Sequence, residues 1–219
     1  MGIVAVAGSI RTPIYHNETM LIYNSPSGIG FQFINVLVDS LSSNGILFTF
    51  DGSNITSVTP NYGPTNGNIV VQVAGTSFGS SGYVLFGGVQ ALSTGIGFTD
   101  SLVEVILPAG VGVVQVQVQS GIQLSPPALF YYSPPNITSV TPSNYKTNGN
   151  VLLTIRGSNF GRSTDGGVVK VGDYVCSTNA GGALYSHFEI RCLLPPGQGK
   201  DLPVSVTVGG QTGTFAFFS

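Results

Sequence analysis

Part of this chain is written twice, and that limits what it folds into more than any other feature. Asn54-Ile55-Thr56-Ser57-Val58-Thr59-Pro60 returns unchanged as Asn136-Ile137-Thr138-Ser139-Val140-Thr141-Pro142, 82 positions later. The residues that follow keep step. Thr65-Asn66-Gly67-Asn68 is answered by Thr147-Asn148-Gly149-Asn150, and Gly75-Thr76-Ser77-Phe78-Gly79 by Gly157-Ser158-Asn159-Phe160-Gly161. A repeat of this length is too long for a solenoid unit and fits one small β-sandwich.

Residues 1–53 align with the later part of the same unit. Gly2 to Gly8 resembles Gly82 to Gly88, and Met20 to Gly30 resembles Leu102 to Gly112. A third copy of the latter runs from Glu189 to Gly199. The domains expected are therefore a partial one over 1–53, lacking its first strands, and two full ones over 54–135 and 136–219. Both ends of the chain read as cuts in a longer protein. Short joints such as Ser133-Pro134-Pro135 predict a stiff string of domains.

Within each unit the apolar period is two, the period of a strand with one face in a core. Val114-Gln115-Val116-Gln117-Val118-Gln119 alternates throughout, and Val204-Ser205-Val206-Thr207-Val208 does the same. Pro60 and Pro142 are expected to stop a first edge strand, since proline donates nothing to a ladder. Asn66-Gly67 and Asn148-Gly149 suit turns with positive φ. Phe78 and Phe160 read as core packing at one end of a sandwich. The Pro-x-Gly-x-Gly stretches at 108–112 and 195–199 are expected to form hairpins. The sum is an all-β chain of tandem sandwiches.

Composition removes several functions. Charged residues make up 7% of the chain, against about 25% in ordinary soluble domains. Net charge is −2, so there is no basic field to draw in nucleic acid. Mean hydropathy is +0.34, yet no apolar run is long enough to cross a membrane as a helix. The histidines, His16 and His187, fall in different domains and neither has a second ligand at zinc-site spacing. No nucleophile elbow, EF-hand loop or phosphate cradle is present, so no catalytic residue, metal or cofactor is assigned and the chain reads as a non-enzyme. Three Asn-x-Thr acceptors begin at Asn17, Asn54 and Asn136, the latter two at equivalent places beside the joints. They point to a secreted glycoprotein. The alternative at this point is an intracellular β protein that keeps its two cysteines, Cys176 and Cys192, reduced.

In this order, and twice over, Asn-Ile-Thr-Ser-Val-Thr-Pro, Thr-Asn-Gly, Gly-x-x-Phe-Gly and Leu-Pro-x-Gly-x-Gly resemble the IPT/TIG domain, the immunoglobulin-like fold of plexins, related receptors and some transcription factors. The Asn/Thr/Ser-rich wording further resembles the tandem TIG repeats of slime-mould-type cell-surface adhesion and recognition proteins. The resemblance implies E-set immunoglobulin-like sandwiches, an extracellular or cell-surface location and a non-enzymatic role in adhesion or recognition, with a homophilic or heterophilic protein partner. It also implies a disulfide between Cys176 and Cys192, where extracellular members often place one. Two alternatives stand beside this reading. One is a structural spacer or fibre subunit that self-assembles by strand exchange through residues 1–53. The other is an accessory domain of a carbohydrate-active enzyme.

Overall fold

The structure is a computed structural model that describes residues 3–6, 9–25, 27–143, 146–179 and 181–218. Gly2, Ala7, Gly8 and Pro26, which enter the alignments above, lie outside the described residues. Among the described residues the regular elements are strands, apart from a single 3-10 turn, Ser163–Asp165.

The first complete sandwich has two facing sheets. One carries Leu92–Ser93, Leu102–Ile106, Val70–Thr76 and Asn54–Thr59 in that order. The other carries Val89–Gln90, Tyr83–Phe86, Val113–Ser120, Ala128–Tyr132 and Tyr62–Gly63, with Gln123–Leu124 on the flank of Val113–Ser120. The alternation read from sequence decides which side chains meet. Val71, Val73, Val103 and Val105 from one sheet pack with Val84, Phe86, Val116, Val118 and Phe130 from the other. Each such burial is worth roughly 1.5–3 kcal/mol relative to exposure. The second complete sandwich repeats the plan. Asn136–Thr141, Val151–Ser158, Glu189–Leu194 and Leu184–Tyr185 face Tyr174–Cys176, Val168–Val171, Leu202–Val208 and Gln211–Phe218.

One corner is built identically in both. Gly75 sits where a Cβ would run into the Asn54 carbonyl and the Phe78 ring, and Gly157 sits likewise against Asn136 and Phe160. The missing side chain lets the first strand close on the second while the phenylalanine seats beneath them. Phe78 and Phe160 are both fully buried, as core packing requires. The first strands end at Thr59 and Thr141, and each is followed by a cis peptide to proline. Positive φ at the neighbouring turns falls on Gly67–Asn68 and Gly149–Asn150, one residue later than the Asn-Gly dipeptides suggest.

The Pro-x-Gly-x-Gly stretches are not hairpins. Leu102–Ile106 belongs to one sheet and Val113–Ser120 to the other. Pro108 to Gly112 therefore crosses from sheet to sheet over the end of the sandwich. Period two identifies a strand but does not say which sheet it joins.

Residues up to Thr49 form half of the same plan. Ile3–Val6 pairs with Phe31–Val38, which also pairs with Leu41–Ser42 and Ile46–Thr49. In the first complete sandwich Tyr83–Phe86, Val113–Ser120, Gln123–Leu124 and Ala128–Tyr132 are connected in the same way. Among the described residues before Ser53, the remaining strands are the antiparallel pair Tyr15–His16 and Leu21–Ile22, which forms a separate two-stranded sheet. Among the described side chains before Ser53 none is buried. Phe48 is 37% exposed, whereas Phe130, its register counterpart, is 0% exposed. The exposure of Ile22 and Phe33 has a different cause. Phe33 pairs with Leu47 as Gln115 pairs with Leu129, so the register turns it to the outer face. Ile22 aligns with Glu104 and also points outward, while Val36 faces the half-formed core.

Cys176 and Cys192 are joined, with Cα atoms 5.5 Å apart. The bridge ties Tyr174–Cys176 of one sheet to Glu189–Leu194 of the other, so it crosses the sandwich. In the first complete sandwich buried Ala91 and Val105 take the two places. The sequence separation is 16, and closing such a loop in the unfolded chain is worth about 3 kcal/mol. A reductant should therefore lower the thermal unfolding midpoint of 136–218 and leave that of 54–132 unchanged, as read by calorimetry with and without it.

Candidate functional site

The residues marked by sequence are spread over the chain. Asn54 and Asn136 are exposed and each opens a first strand. Asn17 is exposed too, but its Oδ1 accepts from the Thr19 and Met20 N–H groups at 2.9 and 2.8 Å, closing a turn. His16 pairs in register with Leu21 and stays apart from His187. Among the described residues no cluster of three potential metal ligands exists. The features that bring distant residues together lie at the two joints and on one sheet face.

At the second joint the crossing loop of one sandwich enters the next. The Val111 side chain lies against Gly161, where an added Cβ would meet its Cγ1 at 2.8 Å. A Cβ on Gly209 would meet the Gly112 nitrogen at 2.5 Å. Gly161 and Gly209 have φ of 78° and 56°, so the socket suits glycine both in space and in backbone conformation. Gln211 Nε2 donates to the Tyr132 carbonyl at 3.1 Å.

Beside this plug Thr65 is buried and held from three sides. Its carbonyl accepts from the Gly110 N–H at 3.0 Å, its N–H donates to Asn159 Oδ1 at 3.3 Å, and its Oγ1 lies 2.9 Å from His187 Nδ1. Burial lowers the His187 pKa below 6.5; Asp165 opposes this and Arg162 reinforces it. Burial likewise pushes Tyr132 and Tyr185 up to about 12. The Tyr132 hydroxyl donates to the Pro108 carbonyl and that of Tyr185 to the Phe160 carbonyl, each at 2.8 Å. Arg162 and Asp165 pair at 3.1 Å.

The first joint uses the same plug and socket. A Cβ on Gly79 would meet Ile29 Cγ2 at 3.1 Å, and one on Gly121 would meet Ile29 Cδ1 at 2.6 Å. Gly79 and Gly121 have φ of 76° and 56°, matching Gly161 and Gly209. Ile29 thus stands where Val111 stands. The corresponding residue of the last sandwich is Gln198, which is exposed. Here the joint also opens into a cleft of ≈ 620 Å³ whose walls include Gly28, Phe50, Ser77, Phe98 and Asp100.

The third feature is an apolar ladder on the outer face of the first complete sandwich. Val113 pairs with Tyr131, Tyr131 with Tyr62, and Gln115 with Leu129. All four apolar members are exposed, Tyr62 at 65%. The last sandwich presents Ser205, Thr207, Thr212 and Thr214 on its outer face.

Sequence reasoning located Thr65 in a repeated turn but missed its role, because its partners are 94 and 122 positions away. His187 carried no signal for a tertiary contact.

Two outcomes follow from this geometry. His187 binds protons less readily folded than unfolded, so its stabilising contribution is complete above about pH 6.5 and is lost as pH falls toward its lower folded-state value. The unfolding midpoint of wild-type chain should drop between about pH 7.5 and about pH 5.5 by more than that of His187→Gln, measured by circular dichroism. Val111→Gln, which places a polar side chain in the second socket, should broaden the distance distribution between spin labels on the two sandwiches. The unfolding free energies of the two sandwiches should stay within about 0.5 kcal/mol of wild type, the usual range for a change outside a domain core.

A family model for the IPT/TIG domain matches residues 53–132 and 135–217. Fibrocystin-L of Mus musculus is 30% identical over 186 residues, which is 81% of this chain and 4% of that protein. The chain thus spans a small part of the curated relative it matches. Among solved structures, the surface glycan-binding protein PbSGBP-B of Prevotella bryantii aligns with a TM-score of 0.51 at 16% identity, over 78% of this chain and 44% of that one. The plexin A4 extracellular region aligns with a TM-score of 0.36 at 14% identity, over 96% of this chain and 29% of that one. With a sandwich matching at each repeat, the same corner glycine and buried phenylalanine in both, and more than half its length covered by the family model, the chain belongs to the IPT/TIG domain family.

Proposed function

We propose that the chain is an extracellular, non-enzymatic recognition module in which coupled TIG sandwiches present a protein-binding face. The observation that carries this reading is the exposed ladder of Val113, Leu129, Tyr131 and Tyr62 on the middle unit. Tyrosines next to aliphatic side chains are the residue types enriched where proteins meet, since they bury area at little entropic cost and keep a polar tip. The sheet-crossing disulfide and the Asn-x-Thr acceptors at the joints fit an oxidising, glycosylating compartment. Glycans on Asn54 and Asn136 would stand beside the joints and leave the ladder open. The low charge makes association depend on shape and apolar contact, with little sensitivity to salt.

A second reading, as a spacer that only sets reach, is favoured by the packed joints. Beads coated with the chain separate the two. Clustering that excess soluble chain competes away, and that the Tyr62→Ser/Tyr131→Ser variant loses while keeping its unfolding midpoint, supports recognition between copies through the ladder. Folded chain that leaves beads dispersed, and that as a fluorescent tetramer stains no cell surface, supports the spacer.

A further inference from the structure

Charge is divided unequally between the two complete sandwiches. Residues 54–135 hold two acids, Asp100 and Glu104, and no Lys or Arg. Residues 136–219 hold six Lys or Arg against four Asp or Glu, a net of +2. The difference shows on equivalent sheet faces. In the middle unit Val70 pairs with Ile106 and Ile106 with Leu92, and in a neighbouring row Gln72 pairs with Glu104. In the last unit Leu152 pairs with Leu193, and in a neighbouring row Thr154 pairs with Arg191. Leu152 and Thr154 stand 82 positions after Val70 and Gln72. Arg191 therefore takes the place of Glu104, and an apolar row borders each. On the middle unit this face belongs to the sheet opposite the one that bears Tyr62 and Tyr131.

The side chains on both faces are held in place. Glu104 Oε1 accepts from Gln72 Nε2 at 2.6 Å, and Oε2 has no partner among the described residues. Glu189 gathers Arg156 at 3.0 Å and Arg191 at 2.7 Å, and the two arginine side chains remain 64% and 45% exposed. The three carry a net positive charge, and a guanidinium has five N–H donors to share.

We infer that these faces dock between two copies of the chain, the middle unit of one on the last unit of the other. Apolar row meets apolar row, and Glu104 meets the guanidinium groups of Arg156 and Arg191. Pairing like units would set Glu104 against Glu104, or arginines against arginines, and such repulsion suppresses the wrong partner. The contact is independent of the Tyr62–Tyr131 ladder and, being partly ionic, responds to salt as the ladder does not.

Sedimentation velocity on the full 219-residue chain tests this. The expected result is concentration-dependent association that weakens as salt rises from about 0.05 M to about 0.5 M. Glu104→Arg, and separately Arg156→Glu/Arg191→Glu, should each weaken it about tenfold or more. An equimolar mixture of these two variants should restore it, since each then offers the other a face of opposite sign. Leu92→Ser, at a position 71% exposed, should also weaken association while leaving both cores intact. Tyr62→Ser/Tyr131→Ser should associate as wild type does, which separates this contact from the ladder. A chain still monomeric at about 1 mM, the weak end of the affinity scale, would overturn the proposal. So would association that the charge reversals leave unchanged, or reversed variants that keep their wild-type circular dichroism and are not rescued by mixing.

Discussion

The architecture of both sandwiches, and of the contacts between them, depends on one manoeuvre: a strand must leave one sheet and enter the other within about five residues. Pro108 to Gly112 does this over the top of the core. The path is tight, since a Cβ on Gly110 would strike the Tyr132 ring at 2.6 Å. Turning so sharply pushes the middle of the loop outward as a blunt apolar tip. That tip is the surface a neighbouring domain meets, so the internal topology of one unit creates the contact with the next.

How the ends are finished follows from the same economy. A sandwich of this family closes its sides with hydrogen-bonded ladders, but its ends expose turns rich in unpaired backbone groups. At the second joint those groups satisfy one another across the domain boundary: Thr65 with Gly110, Asn159 and His187, and Gln211 with Tyr132. Buried polar groups that are paired contribute modestly, but their loss is costly. The joint is therefore held by neutral hydrogen bonds and hydrocarbon contact, which suits a chain with so few ionic side chains.

Much of the fold was legible because its signals are local. The exact repeat of Asn54 to Pro60 fixed the unit, and alternation such as Val114 to Gln119 fixed strands and their buried faces. Gly75 and Phe78 announced a corner. The pairing of Cys176 with Cys192 followed from the family likeness. What sequence hid was partnership between segments. Alternation in Val113–Ser120 is the same whether its predecessor lies beside it or across the core, so a sheet crossing looked like a hairpin. Phe33 and Ile22 are apolar yet exposed, and it is register, with Phe33 on Leu47 as Gln115 is on Leu129, that turns Phe33 outward. Thr65 and His187 carry ordinary turn and loop signatures, and nothing local joins residues so far apart.

The series Ile29, Val111, Gln198 has a mechanical consequence. At one and the same place in successive crossing loops the side chain changes from branched hydrocarbon to a solvent-exposed amide. A neighbour seated on the last loop would find no grease to grip, and the two bodies would swing more freely. Compliance along such a chain is thus set at single positions, link by link, so that evolution can stiffen one stretch and articulate another without altering the sandwiches themselves.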